Sequence, residues 1–181
     1  QLLMPHLLLA GVLLGIFHWT NYWDFVIYFV VTGGVILFTN TILFQGKGRW
    51  ILAVTAAQAA EIFGIATIVI MPFTLQFQTM VQGVALAKNH SLPHQLLILW
   101  GLPAVLVLSF VIVLLVQKLG PLEKKTPYRF LASLKVPDMF AVIIGLCALG
   151  LVLIPELVYV RDIYENGNAR ANTMFKLTYQ A

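Results

Sequence analysis

Residues 95–116 read QLLILWGLPAVLVLSFVIVLLV, an unbroken run without one charged side chain. At 1.5 Å per residue, a helix of that length spans about 33 Å. The hydrocarbon core of a bilayer is about 30 Å thick. A helix apolar on every face over that length belongs in lipid rather than on the surface of a water-soluble domain. The composition agrees: of 181 residues, 60% are hydrophobic and 10% charged, and the mean hydropathy is +0.91. Soluble domains run about 45–50% apolar and about 25% charged. A water-soluble enzyme, a disordered tail and an ordinary nucleic-acid-binding surface are thereby excluded, and no nucleic-acid partner is expected. The net charge of +4 and the pI near 9.3 read as orientation signals rather than as a binding patch. The single cysteine, Cys147, rules out an intrachain disulfide.

Four further runs flank this one. Residues 2–17 are short, 25–44 are clean, 51–71 carry Gln58 and Glu61, and 139–154 are apolar throughout. Residues 173–181 look like the opening of another span. The expected fold is therefore all-α: one integral-membrane helical domain over 1–181, a polytopic bundle of about five spans plus the start of a sixth. The first run has neither a charged leader nor a cleavage site, so it is not a signal peptide. A fragment of a longer membrane protein is expected, whose own remainder or other membrane subunits would pack against it.

Lys and Arg in the loops orient such a bundle. Residues 45–50 hold Lys47 and Arg49, and 117–138 hold Lys118, Lys124, Lys125, Arg129 and Lys135. Both loops fall on one side, expected to be the cytoplasmic face of the cell membrane. Stretches 18–24, 72–94 and 156–181 then face outward. Residues 72–94 are too polar to span and are expected to lie at the outer interface as a short amphipathic piece. Breaks are expected at Gly120-Pro121 and at Val136-Pro137-Asp138, where proline interrupts a helix.

Three polar features carry candidate chemistry. The richest is the stretch from Glu156 to Ala181. If 169–181 is helical, Asn172, Lys176 and Gln180 fall at i, i+4 and i+8 on one stripe, with Thr173 on its flank. Such a stripe must face protein or water. Arg161, Arg170 and Lys176 suit an anion such as phosphate. The alternative is a juxtamembrane ion-pair network with Glu156, Asp162 and Glu165. The second feature is His18-Trp19-Thr20-Asn21-Tyr22-Trp23-Asp24, whose aromatics mark an interface belt. Asp24 is expected to cap the second span, and a functional acid is the other reading. The third is Glu61, an acid deep in a span, which costs roughly 2.5–3.5 kcal/mol to insert. It is expected to face the bundle, paired with Gln58 or with a neighbouring helix, as structural glue or as a proton relay. Ala56, Ala60 and Gly64 form a ridge of small residues expected to pack closely on another helix. His90 and His94 are separated by Pro93, which argues against a helical metal pair. Asn89-His90-Ser91 fits the glycosylation acceptor pattern.

Several of these segments resemble one family. NYWDFVIY (residues 21–28) is similar to the N-x-W-D-F-P-x-Y stretch of the YYY membrane-protein family, with Val26 standing where that proline falls. ELVYVRDIY (156–164) is similar to its E-x-x-Y-x-x-D-x-F/Y segment, and ARANTMFKLTYQA (169–181) to its R-x-N-T-x-F-K-x-x-x-Q-A-W segment. The order of the pieces also agrees. The tyrosine-rich signature of that family would lie upstream of Gln1.

The family is largely uncharacterised, and the resemblance implies a distant relation to polytopic transferases of the GT-C kind. These use polyprenyl-phosphate-linked sugars at the outer membrane face. It implies part of a glycosyltransferase-like membrane protein, in which a base activates an acceptor hydroxyl and cations hold the leaving lipid phosphate. Arg161, Arg170, Asn172, Lys176 and Gln180 are the ligand-side candidates. Asp24 and Asp162 are the candidates for a base or for holding a divalent metal. Membrane lipid and polyprenyl phosphate are the implied partners. Two rivals stand beside this reading: a transporter or channel module built on Glu61, and a structural subunit of a larger membrane complex.

Overall fold

The computed structural model describes residues 2–77, 83–121, 126–161 and 168–181. Among them are seven helices: α1 (Pro5–Thr20), α2 (Tyr22–Leu43), α3 (Gly48–Thr74), α4 (Pro93–Leu119), α5 (Pro127–Ser133), α6 (Val136–Leu157) and α7 (Ala171–Thr178). The strands β1 (Gly83–Leu86) and β2 (Val158–Arg161) complete the described elements. α2, α3, α4 and α6 are long and apolar enough to cross a membrane, and α1 is a shorter apolar helix of 16 residues. The protein is an all-α, multi-pass membrane helix bundle. α4 shows its environment most directly: Leu114 is its one buried residue, while Ile98 is 79% and Leu102 72% exposed. A surface of that kind is stable facing acyl chains and costly facing water.

The chain divides into two compact units: Gln1–Phe77 with Val116–Ile143, and Gln78–Leu115 with Ile144–Ala181. In the first, α1 lies against α3. A Cβ added at Gly11 would come within 2.7 Å of Ile65 Cβ, and one at Gly15 within 2.6 Å of Val69 Cβ. The two glycines are four apart, so they share a helix face and let the backbones approach. Leu7, Leu14, Phe25, Ile62 and Ala66 close the core around this seam. The expected ridge of Ala56, Ala60 and Gly64 is not the seam. Ala56 and Ala60 are exposed, and a Cβ at Gly64 would meet nothing within 4 Å. α2 and α3 are tied by buried Asn40, whose Nδ2 donates to Gln58 Oε1 (2.8 Å) and Thr55 Oγ1 (3.0 Å). Their turn uses left-handed backbone at Gln45 and Gly46, and Gly46 lies against Tyr128 of α5.

Three boundaries differ from the sequence reading. α3 runs through Pro72 to Thr74. Pro137 stands in the first turn of α6, where the missing N–H leaves no bond unmade. In the second unit, the stretch expected to be an amphipathic interface piece contains β1 instead. It pairs antiparallel with β2, Gly83 opposite Arg161 and Leu86 opposite Val158, and the Ala87 N–H extends the ladder to Leu157 O at 2.9 Å. β2 follows α6 without a loop, so the ribbon is built directly on the end of a membrane span. α7 is a two-turn helix with Thr173 and Leu177 buried and Phe175 exposed, and its C-cap Tyr179 is exposed as well.

Candidate functional site

The site grows from the last turn of α6. Glu156 is buried there, 9% exposed, and a carboxylate in such a place must be fully partnered. Its Oε1 lies 2.6 Å from Arg170 Nη1 and accepts from Ser91 Oγ at 2.7 Å. Its Oε2 accepts from the Ser91 N–H at 2.7 Å. Arg170 Nη2 in turn donates to Ser91 Oγ (2.9 Å), and Nη1 reaches the Pro155 carbonyl oxygen at 3.3 Å. His90 Nδ1 lies 2.8 Å from the Glu156 carbonyl oxygen. A carbonyl only accepts, so Nδ1 carries the proton. Three chain segments, 88–92, the end of α6 and the start of α7, are thereby tied to one carboxylate. Thr173 Oγ1 accepts the Val160 N–H at 2.9 Å and fixes α7 to β2.

Beside this knot opens a cleft of about 520 Å³, lined by Lys88, Asn89, Tyr159, Asn168, Arg170 and Met174, among others. It offers two cations, two amides and a phenol against an apolar flank. Lys88 is exposed and has no acid partner among the described residues. A second cleft, of about 590 Å³ in the first unit, is lined by Lys47, Gly48, Arg49, Trp50 and Ala53. Trp50 is 61% exposed. Among the described residues its walls add no further polar side chain to the two cations, so it reads as an interface groove rather than as a built site.

Of the residues singled out from sequence, Arg170 lines the first cleft. Arg161, Asn172, Lys176 and Gln180 are not among its described walls. Arg161 ends β2 opposite Gly83, Asn172 and Lys176 are half-buried on α7, Gln180 is half-buried just past its end, so the helix stops short of the expected i+8 position, and none of the four is free of partners. Asp162 lies outside the described residues, as do Lys124, Lys125 and Glu165. Asp24 belongs to the first unit and is not the cap of α2. Asn21 is, its Oδ1 accepting the Trp23 N–H at 3.2 Å, while Asn21 Nδ2 donates to Asp24 Oδ1 at 2.9 Å. Glu61 does not pair with Gln58, which is bound to Asn40. Its Oε1 accepts the N–H of Leu3 at 2.9 Å, and its Oε2 is buried with no hydrogen-bond partner among the described residues. No three His, Cys, Asp or Glu side chains gather to hold a metal among the described residues. Sequence reasoning missed Lys88, Asn89, Ser91 and Asn168. Asn89 and Ser91 were visible only as an acceptor pattern, and Ser91 meets Arg170 across 79 residues.

The family model described as "Uncharacterized membrane protein (DUF2298)" matches residues 2–181. The chain belongs to this family. No curated protein and no solved structure matches it. In this DUF2298 chain the matched region takes in the four long apolar helices, the β-ribbon and the cleft together.

Proposed function

We propose that the chain is part of a glycosyltransferase-like integral membrane protein of the YYY and GT-C kind. It takes a polyprenyl-phosphate-linked sugar at the outer face of the cell membrane. One observation carries the reading: the cleft lined by Lys88, Asn89, Asn168 and Arg170, next to the ribbon that continues a membrane span. A lipid-anchored phosphate can reach a cation at the end of a span without leaving the bilayer, and amides beside it can hold sugar hydroxyls. The proposed orientation puts loops 45–50 and 117–138 in the cytoplasm. In this reading Arg161, Asn172, Lys176 and Gln180 support α7 and β2 around the ligand, and Asp24 and Asp162 remain the acids for proton or metal chemistry. The test is binding of a polyprenyl-phosphate sugar by the purified full-length protein in nanodiscs, followed by transfer of a labelled sugar to an acceptor. Absence of binding sinks the proposal.

A structural-subunit reading is favoured by a different observation. The Arg170–Glu156–Ser91 knot is closed on itself, and α4 leaves almost its whole surface uncovered. It predicts co-purification with a membrane partner and no lipid-phosphate affinity.

A further inference from the structure

We infer that the β1–β2 ribbon rests on the bilayer, with Val84, Leu86, Val158 and Val160 sunk to the boundary between headgroups and acyl chains and the cleft opening on the opposite face. The inference concerns the partner of a surface. It does not depend on what the cleft binds, or on which side of the membrane the ribbon lies.

The register assigns the two faces. Side chains directly opposite in an antiparallel pair share a face, and every second residue along a strand returns to it. Val84 stands opposite Val160 and Leu86 opposite Val158, so these four make one wholly apolar face. Val84 is 68% and Leu86 76% exposed. The other face carries Ala85 opposite Tyr159, with Ala87 next in phase. Tyr159 and Ala87 both line the cleft. The ribbon therefore has the cleft on one face and uncovered valine and leucine on the other.

Hydrogen bonding then sets the depth. The Val160 N–H points away from β1 and donates to Thr173 Oγ1, whereas the Ala87 N–H donates across the ribbon to Leu157 O. Hydrogen-bonded and non-hydrogen-bonded pairs alternate along an antiparallel ladder. Val84–Val160 and Leu86–Val158 are thus non-hydrogen-bonded pairs, and Val84 and Leu86 turn their own N–H and C=O groups outward. β1 has no strand on that side among the described residues. The same two residues make opposite demands. Their side chains are costly in water, and their backbone groups are costly in hydrocarbon, where open sheet edges do not occur. The headgroup–acyl boundary meets both demands: an amphipathic element there sinks its apolar face about 5–10 Å and keeps its polar groups wet.

The chain connections hold the ribbon at that level. Val158 is the first residue past α6, and Leu86 is paired with it. Residues 87–92 alone separate β1 from α4, and both α4 and α6 are long and apolar enough to span. Four residues of strand reach about 13 Å, so the apolar face stays close to the mouth of a span. A third strand added to β1 from another chain would satisfy the open edge but leave the side chains of Val84 and Leu86 uncovered. The bilayer covers them and leaves the edge to headgroups and water.

The experiment is electron paramagnetic resonance of the full-length protein in phosphatidylcholine nanodiscs, with nitroxides on single cysteines in a background freed of other cysteines. Val84→Cys and Leu86→Cys report the apolar face, and Lys88→Cys reports the cleft wall. Leu106→Cys, midway along α4 and exposed, reports the acyl region. Collisions with oxygen, which partitions into lipid, are compared with collisions with a water-soluble nickel chelate. At 84 and 86 oxygen should exceed nickel, at a depth shallower than that of 106, and at 88 the order should reverse. All four replaced side chains are exposed, so thermal unfolding of each variant should match the parent. Nickel access at 84 and 86 equal to that at 88 would put the face in water and overturn the inference. A depth equal to that of 106 would put the open edge in hydrocarbon and overturn it as well. Immobilised labels at 84 and 86 that neither reagent reaches would show another protein surface on this face, with the same consequence.

Discussion

Arg170 and Ser91 are 79 residues apart, yet the Arg170 Nη2 lies 2.9 Å from Ser91 Oγ because both are bound to Glu156. The carboxylate at the end of α6 thus fixes the loop after β1 and the residue that opens α7. This arrangement makes the guanidinium structural first. Glu156→Gln keeps the shape but removes the charge that balances Arg170, and Arg170→Gln leaves Glu156 in the converse state. Breaking a buried pair from one side costs about 3–5 kcal/mol, and the partial exposure of both side chains here puts the expectation at the lower end. Each single variant should lower the unfolding midpoint in detergent clearly. The double variant should cost less than the sum of the two. Additive losses would mean that the pair is not coupled.

The α1–α3 seam makes a second prediction. An added methyl at Gly15 would come 2.6 Å from Val69 Cβ and 3.0 Å from the Ala66 carbonyl oxygen, so the helices must separate. Gly15→Ala should destabilise the first unit by about 1–3 kcal/mol, the usual cost of overpacking. Gly64→Ala is the matched control, because nothing lies within 4 Å of the new methyl. It should be neutral or slightly stabilising, since alanine favours helix by about 1 kcal/mol over glycine. The readout is thermal unfolding of the two proteins side by side. Equal losses would place the seam elsewhere.

The apolar helices were legible in the sequence because their signal is long. Long runs with almost no charged side chain admit few other readings, and α2, α3, α4 and α6 follow from them. The ribbon was not legible. Val84-Ala85-Leu86 and Val158-Tyr159-Val160 are too short to show a period, and each strand is defined by its partner across more than 70 residues. The same reason hid most of the site. Arg170 was visible as a cation beside acids, but Lys88 and Ser91 acquire meaning only when β1 is paired with β2. The small-residue seam was misassigned because two such spacings occur, Gly11 with Gly15 and Ala56-Ala60-Gly64. Spacing alone does not tell which one meets a bulky neighbour. Asp24 was read as the cap of α2, and the geometry gives the cap to Asn21, the residue that precedes the helix.

Glu61 provides a third test. It is the 14th residue of the 27 in α3, counted from Gly48, and its Oε1 accepts the N–H of Leu3, whose backbone is left-handed at φ 57°. That conformation is uncommon for leucine and needs an external tie. Glu61→Gln keeps an acceptor oxygen at the same reach and should fold normally. Glu61→Leu removes the acceptor and should cost about 1 kcal/mol, the net worth of one such bond. Hydrogen exchange at the Leu3 amide is the direct readout: protected in the parent and the Gln variant, fast in the Leu variant. A proton-relay role would show instead as lost ion flux in liposomes carrying a normally folded Gln variant.

The orientation of the bundle can be tested at α4. It runs 27 residues from Pro93 to Leu119, about 40 Å of helix, longer than the bilayer core. If it spans, the residues before and after it lie on opposite sides of the membrane. Lys88 and Lys135 are both exposed and lie on either side of α4 in sequence, and Lys47 is exposed at the start of α3. Cys147 is first replaced by alanine to remove the background thiol, and single cysteines are placed at 47, 88 and 135. With a membrane-impermeant maleimide on intact cells, position 88 should label, while 47 and 135 should label only after permeabilisation. The grouping of 47 with 135 follows from an even number of crossings between them: α3 and α4. Labelling of 88 and 135 from the same side would show that α4 does not cross. Labelling of 47 and 135 from outside, with 88 protected, would keep the crossings and reverse the orientation, placing the cleft in the cytoplasm.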